Sequence, residues 1–234
     1  MKDINHDYWK EYESQDADAV NPDLRVAMNQ LYGTDLIDFG EVKGSKAIYK
    51  NESDECTHFA PDGWSTYTSL TGNYIEQMPF RKEAREENIT LVNKLWKLAS
   101  TIAGELFFPC RRIDGNTINQ NRGTFGKISD RVDLTLRDIK RYYDKEVSDY
   151  PLKSTLLRYA FFFDQFASFK EYIDHCLLKD FCDENYNVKL WQDKYGLPQT
   201  KEELVDFWKW SIEVLERRLK RIEKFANEHG LFDE

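Results

Sequence analysis

Residues Phe107–Tyr143 read FFPCRRIDGNTINQNRGTFGKISDRVDLTLRDIKRYY. A helix stops at Pro109, a loop dense in Arg and Asn follows, and that loop feeds a second helix. Between Arg111 and Arg131 the chain carries Arg112, Asp114, Asn116, Asn119, Gln120, Asn121, Arg122 and Asp130, with glycines at 115, 123 and 126. Glycine allows sharp backbone folding, Arg offers a planar fork of donors suited to carboxylates and phosphates, and Asn and Gln offer paired donors and acceptors. In the helix that follows, Val132, Leu136, Ile139 and Tyr143 fall on one arc, while Asp130, Asp133, Arg137 and Arg141 fall on the opposite one. Leu134 lies inside the charged arc, which predicts that this face is partly covered by the rest of the chain. Asp133 and Arg137 have the spacing of an ion pair along the helix.

On either side of this stretch the pattern is helical. Asn21-Pro22 starts a helix striped by Leu24, Met28 and Leu31 and ended by Gly33. Residues 1–20 read as an irregular segment that is either mobile or pinned to the body by Tyr8, Trp9 and Tyr12. The runs LIDFG, KAIYK, THFA and WSTYT, separated by turn formers, predict short strands in hairpins between about residues 35 and 70. One long helix is expected over 89–107, and a second, strongly aromatic one over 154–181 with Phe162, Phe166, Phe169 and Ile173 in its stripe. A last helix spans 200–228, with Thr200 and Glu203 as a capping box and His229-Gly230 as its end. The fold class expected is mainly α, a single domain of four to five principal helices with a small strand-bearing segment near residues 35–70.

With 234 residues, 41% of them hydrophobic, the chain can build a substantial core. A net charge of −9 disfavours broad binding to nucleic acid, which runs on a positive surface. Cys56, Cys110, Cys176 and Cys182 show neither a CxxC pair nor zinc-like spacing to His. They read as reduced, buried thiols in a cytoplasmic protein, and no metal site is implied. The N-terminus MKDINHDYWKEYESQD lacks the apolar run of a signal peptide, and no stretch approaches a membrane span. The C-terminal cations Arg217, Arg218, Lys220, Arg221 and Lys224 lie where a helix dipole favours positive charge. His175, beside Asp174, reads as a packed or surface histidine, with general-base chemistry as the other reading. Nothing matches a P-loop, a dinucleotide fingerprint, a nucleophile elbow or an HExxH helix.

The runs RIDG-NTINQNRG, KISDRVDLTLRDIKRYY and PLKSTLLRYAFFFDQFASFKEYIDHCLLKD resemble a widespread bacterial family of uncharacterised proteins. Its segments read FP-x-x-RIDG…INQARG…KIKDRFDLTLECIRRHY…RYxxFFxxFxxF. The likeness covers Pro79 to Ile222, and NPDLR near residue 21 is similar to the family's SPTLR. It implies no established activity, but it selects Arg112, Asp114, Asn119, Gln120, Arg122, Asp130, Arg131, Asp133 and Arg141, and further on Arg158, Tyr159, Phe162, Phe163 and Asp180. The chain departs from it at Asn121, where the family has a small residue, at Arg137, where it has an acid, and at Leu219, where it has Asn. The spacing Arg111 to Asn116 is similar to the RxxxxN/H element of HEPN ribonucleases, although that element lies within a helix and this one lies in a glycine-containing loop.

These readings converge on one candidate ligand site: Arg112, Asn119, Gln120, Arg122, Asp130, Arg131, Asp133, Arg141 and Arg158. The expected occupant is a small anionic ligand, a nucleotide or other phosphate-bearing metabolite, held by the guanidinium groups and read by Asn119 and Gln120. No catalytic residue or cofactor is indicated. Two other classes stay open: a ribonuclease-like toxin or phage-defence effector, and a non-enzymatic interaction protein, for which a homo-oligomer is compatible with the sequence.

Overall fold

The computed structural model describes residues 1–9, 22–32, 47–50, 56–62, 79–109, 114–123 and 126–232. Within them the chain is mainly helical, with eight α-helices: α1 (Pro22–Tyr32), α2 (Arg81–Glu87), α3 (Ile89–Ala99), α4 (Val132–Tyr143), α5 (Lys153–Arg158), α6 (Ala160–Phe163), α7 (Phe169–His175) and α8 (Lys201–Glu228). Three strands, β1 (Ala47–Lys50), β2 (Cys56–Asp62) and β3 (Leu106–Pro109), form one antiparallel sheet in that order. Ala47 pairs with Phe59 across the first ladder, and Phe59 with Pro109 across the second. The runs LIDFG and WSTYT lie outside the described residues.

Two expected helices are shorter than their periodicity suggested. The helix expected over 89–107 stops at Ala99, because Ser100 and Thr101 turn their hydroxyls back onto the carbonyls of Trp96 and Leu98, at 2.9 and 2.7 Å. Such back-bonding lets the chain leave the helix. Gly104 then packs so close to the helix end that a Cβ there would sit 1.9 Å from the Ala99 carbonyl oxygen. The freed segment Leu106–Pro109 becomes the third strand. The helix expected over 154–181 is instead α5, α6 and α7 separated by turns. Ser168 restarts the helix as the N-cap of α7, its hydroxyl accepting from the Glu171 amide at 3.2 Å, while the Glu171 carboxylate accepts from the Ala167 amide at 2.9 Å.

Helix α8 runs unbroken for 28 residues from the Thr200 cap and packs on α2 and α3. Its Leu204, Phe207, Trp208, Ile212, Leu215 and Ile222 are all buried. Arg218 is buried as well, so its guanidinium satisfies itself on the fold. It donates to the carbonyls of Ala103 (2.6 Å), Glu105 (2.8 Å) and Leu177 (3.3 Å) and to the Tyr32 hydroxyl (3.1 Å). One side chain thereby joins α8 to α1, to the turn after α3 and to the end of α7. The N-terminal segment is docked through residue 9: Met1, Ile4 and Tyr8 are buried, the Tyr8 amide donates to Ser100 O at 3.0 Å, and Trp9 Nε1 donates to Glu105 at 2.9 Å. Residues 10–21 lie outside the described residues.

Helices α4, α7 and α8 all end in the same way, with the first residue past the cap in the left-handed region. At α4, Lys145 (φ 54°) donates its amide to Tyr142 O at 3.1 Å and the Glu146 amide reaches Arg141 O at 3.0 Å. Leu177 and Gly230 close α7 and α8 with the same pair of bonds. Of the three, Gly230 is the residue type this conformation favours, since left-handed backbone brings a Cβ too close to the residue's own carbonyl oxygen. Lys145→Gly is expected to stabilise the fold by about 1 kcal/mol, read from the midpoint of urea unfolding at an unchanged slope.

Cys176 and Cys182 are free and buried. Burial pushes both thiols up to about 12, so they stay protonated at pH 8. Iodoacetamide at that pH should leave the peptides carrying them unmodified in the native protein and label them once denaturant is added, as read by mass spectrometry.

Candidate functional site

The polar loop folds on its own backbone before it meets anything else. Thr117 and Gln120 cap each other: the Gln120 amide donates to Thr117 Oγ1 at 3.1 Å, and Gln120 Oε1 accepts from the Thr117 amide at 3.2 Å. This starts a single 3-10 turn over Asn119–Asn121. The Asn121 carbonyl then accepts from the amides of both Lys127 (2.7 Å) and Ile128 (3.1 Å), and the Gly123 amide reaches Ile128 O at 2.9 Å. A Cβ on Gly126 would sit 2.3 Å from the Asn121 carbonyl, so glycine is required for the loop to close.

The closed loop lies against α5. Asn121 Nδ2 donates to Thr155 Oγ1 at 2.8 Å, Lys127 Nζ to Ser154 Oγ at 2.8 Å, and Arg158 Nη2 to the Asn116 carbonyl at 2.6 Å. Asn121, where the resembling family has a small residue, is therefore a buried tie between loop and helix.

The charged residues separate into clusters. Arg122 is buried, pairs with Asp130 at 2.9 Å, donates to Asn119 Oδ1 at 3.3 Å and lies over the Phe108 ring at 5.9 Å. Burial lowers its pKa, and the nearby carboxylates of Asp130 and Asp133 oppose that shift. Arg131 and Asp133 form a second cluster with no exposed side-chain surface. Arg131 grips both oxygens of Asp133, the Nε contact at 3.0 Å, and donates through Nη1 to the carbonyls of Lys194 (2.9 Å) and Gly196 (2.8 Å). Its guanidinium stacks 5.3 Å from Trp191 and 5.8 Å from Phe207, while Asp133 Oδ2 also accepts from the Trp191 amide at 2.9 Å. A guanidinium with its donors so committed is a tie between α4, the 190–196 segment and α8.

A third cluster centres on Asp138, which the sequence reading missed. Its carboxylate is buried, with Oδ1 held by Arg137 at 2.8 Å and by Arg141 at 3.7 Å and Oδ2 accepting from the Leu152 amide at 3.0 Å. Arg137 therefore pairs with Asp138 rather than with Asp133, which is a correction to the expected helical pair. Arg141 also reaches Glu146 at 3.3 Å and lies over Tyr150 at 5.8 Å. Of the nine residues selected from sequence, Asn119, Arg122 and Asp130 come together, Arg131 and Asp133 pair inside the fold, Gln120 caps the turn, Arg141 joins Asp138, and Arg158 holds the loop. Arg112 lies outside the described residues. In the C-terminal run, Arg218 is a buried strut and Arg221 pairs with Asp180 at 2.7 Å, so neither is simply a solvated dipole partner.

Because neither member of the Arg131–Asp133 pair meets water, removing one leaves the other buried and uncompensated. Asp133→Asn or Arg131→Ala is expected to cost about 3–5 kcal/mol in urea unfolding, while the double apolar variant Arg131→Met/Asp133→Leu should cost well below the sum of the single changes.

No curated protein and no solved structure matches this chain. A family model matches residues 2–222, a span that takes in the docked N-terminal segment, the strands, the polar loop and all but the last turns of α8. By that match the chain belongs to DUF6994, a family of unknown function.

Proposed function

We propose that this is a bacterial, cytoplasmic protein that binds a small anionic ligand, a nucleotide or other phosphate-bearing metabolite, where the 114–123 loop crosses Arg158. The observation that supports this reading is the state of Arg158. Its two partners among the described residues, the carbonyls of Asn116 (2.6 Å) and Ser154 (3.3 Å), are both neutral, and its Nε is buried without a hydrogen bond. Arg122, Arg131, Arg137 and Arg141 each pair with a carboxylate, whereas Arg158 has no ion-pair partner among the described residues. Asp114, Gly115, Asn116 and Gln120 are exposed along the loop that covers it. Gly115, at φ 137°, takes a backbone conformation that side chains rarely adopt, and a Cβ there would sit 3.5 Å from Arg158 Nη2.

A phosphate group would supply the anion that Arg158 lacks, and a planar fork favours bidentate contact with it. Asn119 and Arg122, at the other end of the loop, add an amide and a second guanidinium that Asp130 orients. Arg131, Asp133 and Arg141 are committed within the fold to other partners. The toxin or defence-effector reading requires an Arg and a base such as His175 in one cleft. His175 packs 5.1 Å from the Phe166 ring and 6.2 Å from the ring of Tyr32, whose hydroxyl accepts from the buried Arg218 at 3.1 Å. The self-association reading requires exposed aromatics on 154–181 or on α8, and the exposed large hydrophobic there, among the described residues, is Leu157.

A thermal-shift screen of nucleotides and phosphorylated metabolites tests the proposal. A ligand at a hundred times its Kd should stabilise the wild type by about 2.7 kcal/mol, several degrees for a chain of this size. Arg158→Ala should erase the shift given by phosphorylated compounds that lack an aromatic ring and leave the unliganded Tm within a few degrees of wild type. Such a shift surviving Arg158→Ala, or no shift from any compound, overturns the proposal.

A further inference from the structure

A cleft of about 620 Å³ opens between the end of α4, the turn leading to Tyr150, α5 and the segment after α6. Of the nine residues selected from sequence, none of the eight described ones lines it. We propose that this cleft is a second binding site, independent of the Arg158 reading, for a flat aromatic ring that carries a phosphate dianion.

The walls suit a ring. Tyr142, Tyr143, Tyr150 and Phe166 all line the cleft. Two of these phenols are tethered, Tyr142 to Asp164 at 2.6 Å and Tyr143 to the Phe163 carbonyl at 2.7 Å. Tyr143 is further fixed against Phe163, Phe169 and Tyr172 at 6.2–6.4 Å between ring centroids. Rings held this way present aromatic surface without losing further rotamer freedom on binding. Leu157, 58% exposed on α5, adds an apolar edge that the fold does not otherwise use.

The charges suit a dianion. Of the two carboxylates in the lining, Glu146 pairs with Arg141 at 3.3 Å, while Asp164 accepts from the neutral Tyr142 phenol and keeps its charge. The two ammonium groups are not neutralised. Among the described residues Lys153 donates to the carbonyls of Val147 (2.5 Å) and Ser148 (3.0 Å) and lies 5.7 Å over the Tyr150 ring, which leaves the third of its donors. Lys145 has no side-chain partner among the described residues, and it occupies the left-handed position where glycine would be cheaper. The helix-end bonds fix its backbone, and its side chain lines the aromatic cleft without an ion pair among the described residues. Tyr150 adds a donor. Its hydroxyl has no partner among the described residues, and burial, with Asp138 and Glu146 nearby, holds its ionisation up at about 12, so it stays protonated at neutral pH.

The test is an NMR titration of the full chain with phenyl phosphate, using phenol and inorganic phosphate as half-ligands and following the backbone amides of residues 145–153. The expected result is saturable binding at least tenfold tighter than to either half-ligand. Lys145→Gly should weaken it at least tenfold while melting no lower than wild type, so lost binding is not lost folding. Leu157→Glu, which sets a negative charge on the exposed edge, should weaken it as well. Arg158→Ala should leave it unchanged, which separates this site from the loop site. Shifts that do not saturate, phenyl phosphate binding no tighter than inorganic phosphate, or full affinity in Lys145→Gly would each overturn the proposal.

Discussion

A guanidinium and a carboxylate cut off from water must find every hydrogen-bond partner inside the protein, because an unsatisfied buried charge costs several kcal/mol. Arg131 and Asp133 meet that requirement by drawing three parts of the chain to one point. Asp133 occupies both of its oxygens with Arg131 and still receives the Trp191 amide, while Arg131 takes the carbonyls of Lys194 and Gly196. The 190–196 segment, which carries left-handed backbone at Gln192 and Asp193, is thus fixed by the start of α4. With Trp191 held there, its ring packs on Phe207 at 5.3 Å, and that contact orients the first half of α8. Arg218 does the corresponding work at the second half of α8 through backbone carbonyls and the Tyr32 hydroxyl.

These ties also decide what the polar loop can do. With Arg131, Asp133, Arg137, Asp138 and Arg141 committed to one another or to the backbone, the helix after the loop is a rigid support. The exposed polar groups belong to the loop residues 114–120, set on Arg158. Rigid elements presenting a loop is the arrangement in which binding residues are commonly found. The aromatic contacts on the other side of α5 belong to the same logic: Phe163, Phe169 and Tyr172 brace Tyr143, and the cleft beside it inherits fixed walls.

Helix ends show where local sequence suffices and where it does not. The Thr200 cap and the Gly230 terminus of α8 were legible because each uses the residue type that the backbone geometry favours. Lys145 and Leu177 adopt the same terminating geometry with a Cβ in place, so nothing in their identity announces it. The restart at Ser168 did carry a signal, Ser168 three residues before Glu171, but the aromatic stripe through Phe162, Phe166 and Phe169 masked it. Period alone cannot distinguish one long helix from three short ones whose apolar faces turn toward the same core.

The amino-acid sequence by itself determined the mainly helical character, the sites of α1, α4 and α8, and the covered polar face signalled by Leu134. All of these follow from residue-level preferences that act over a few positions: periodicity, caps and glycine geometry. Tertiary structure decided how the charges were shared. Asp130, Asp133 and Asp138 are interchangeable as text, yet one is partly exposed beside Arg122 and two are buried in separate clusters. It also decided that Leu106–Pro109 would be a strand, since a third strand needs a partner, and β2 lies more than forty residues away in the chain. Pairings of that kind depend on which surfaces meet after the helices pack, and no local preference encodes them.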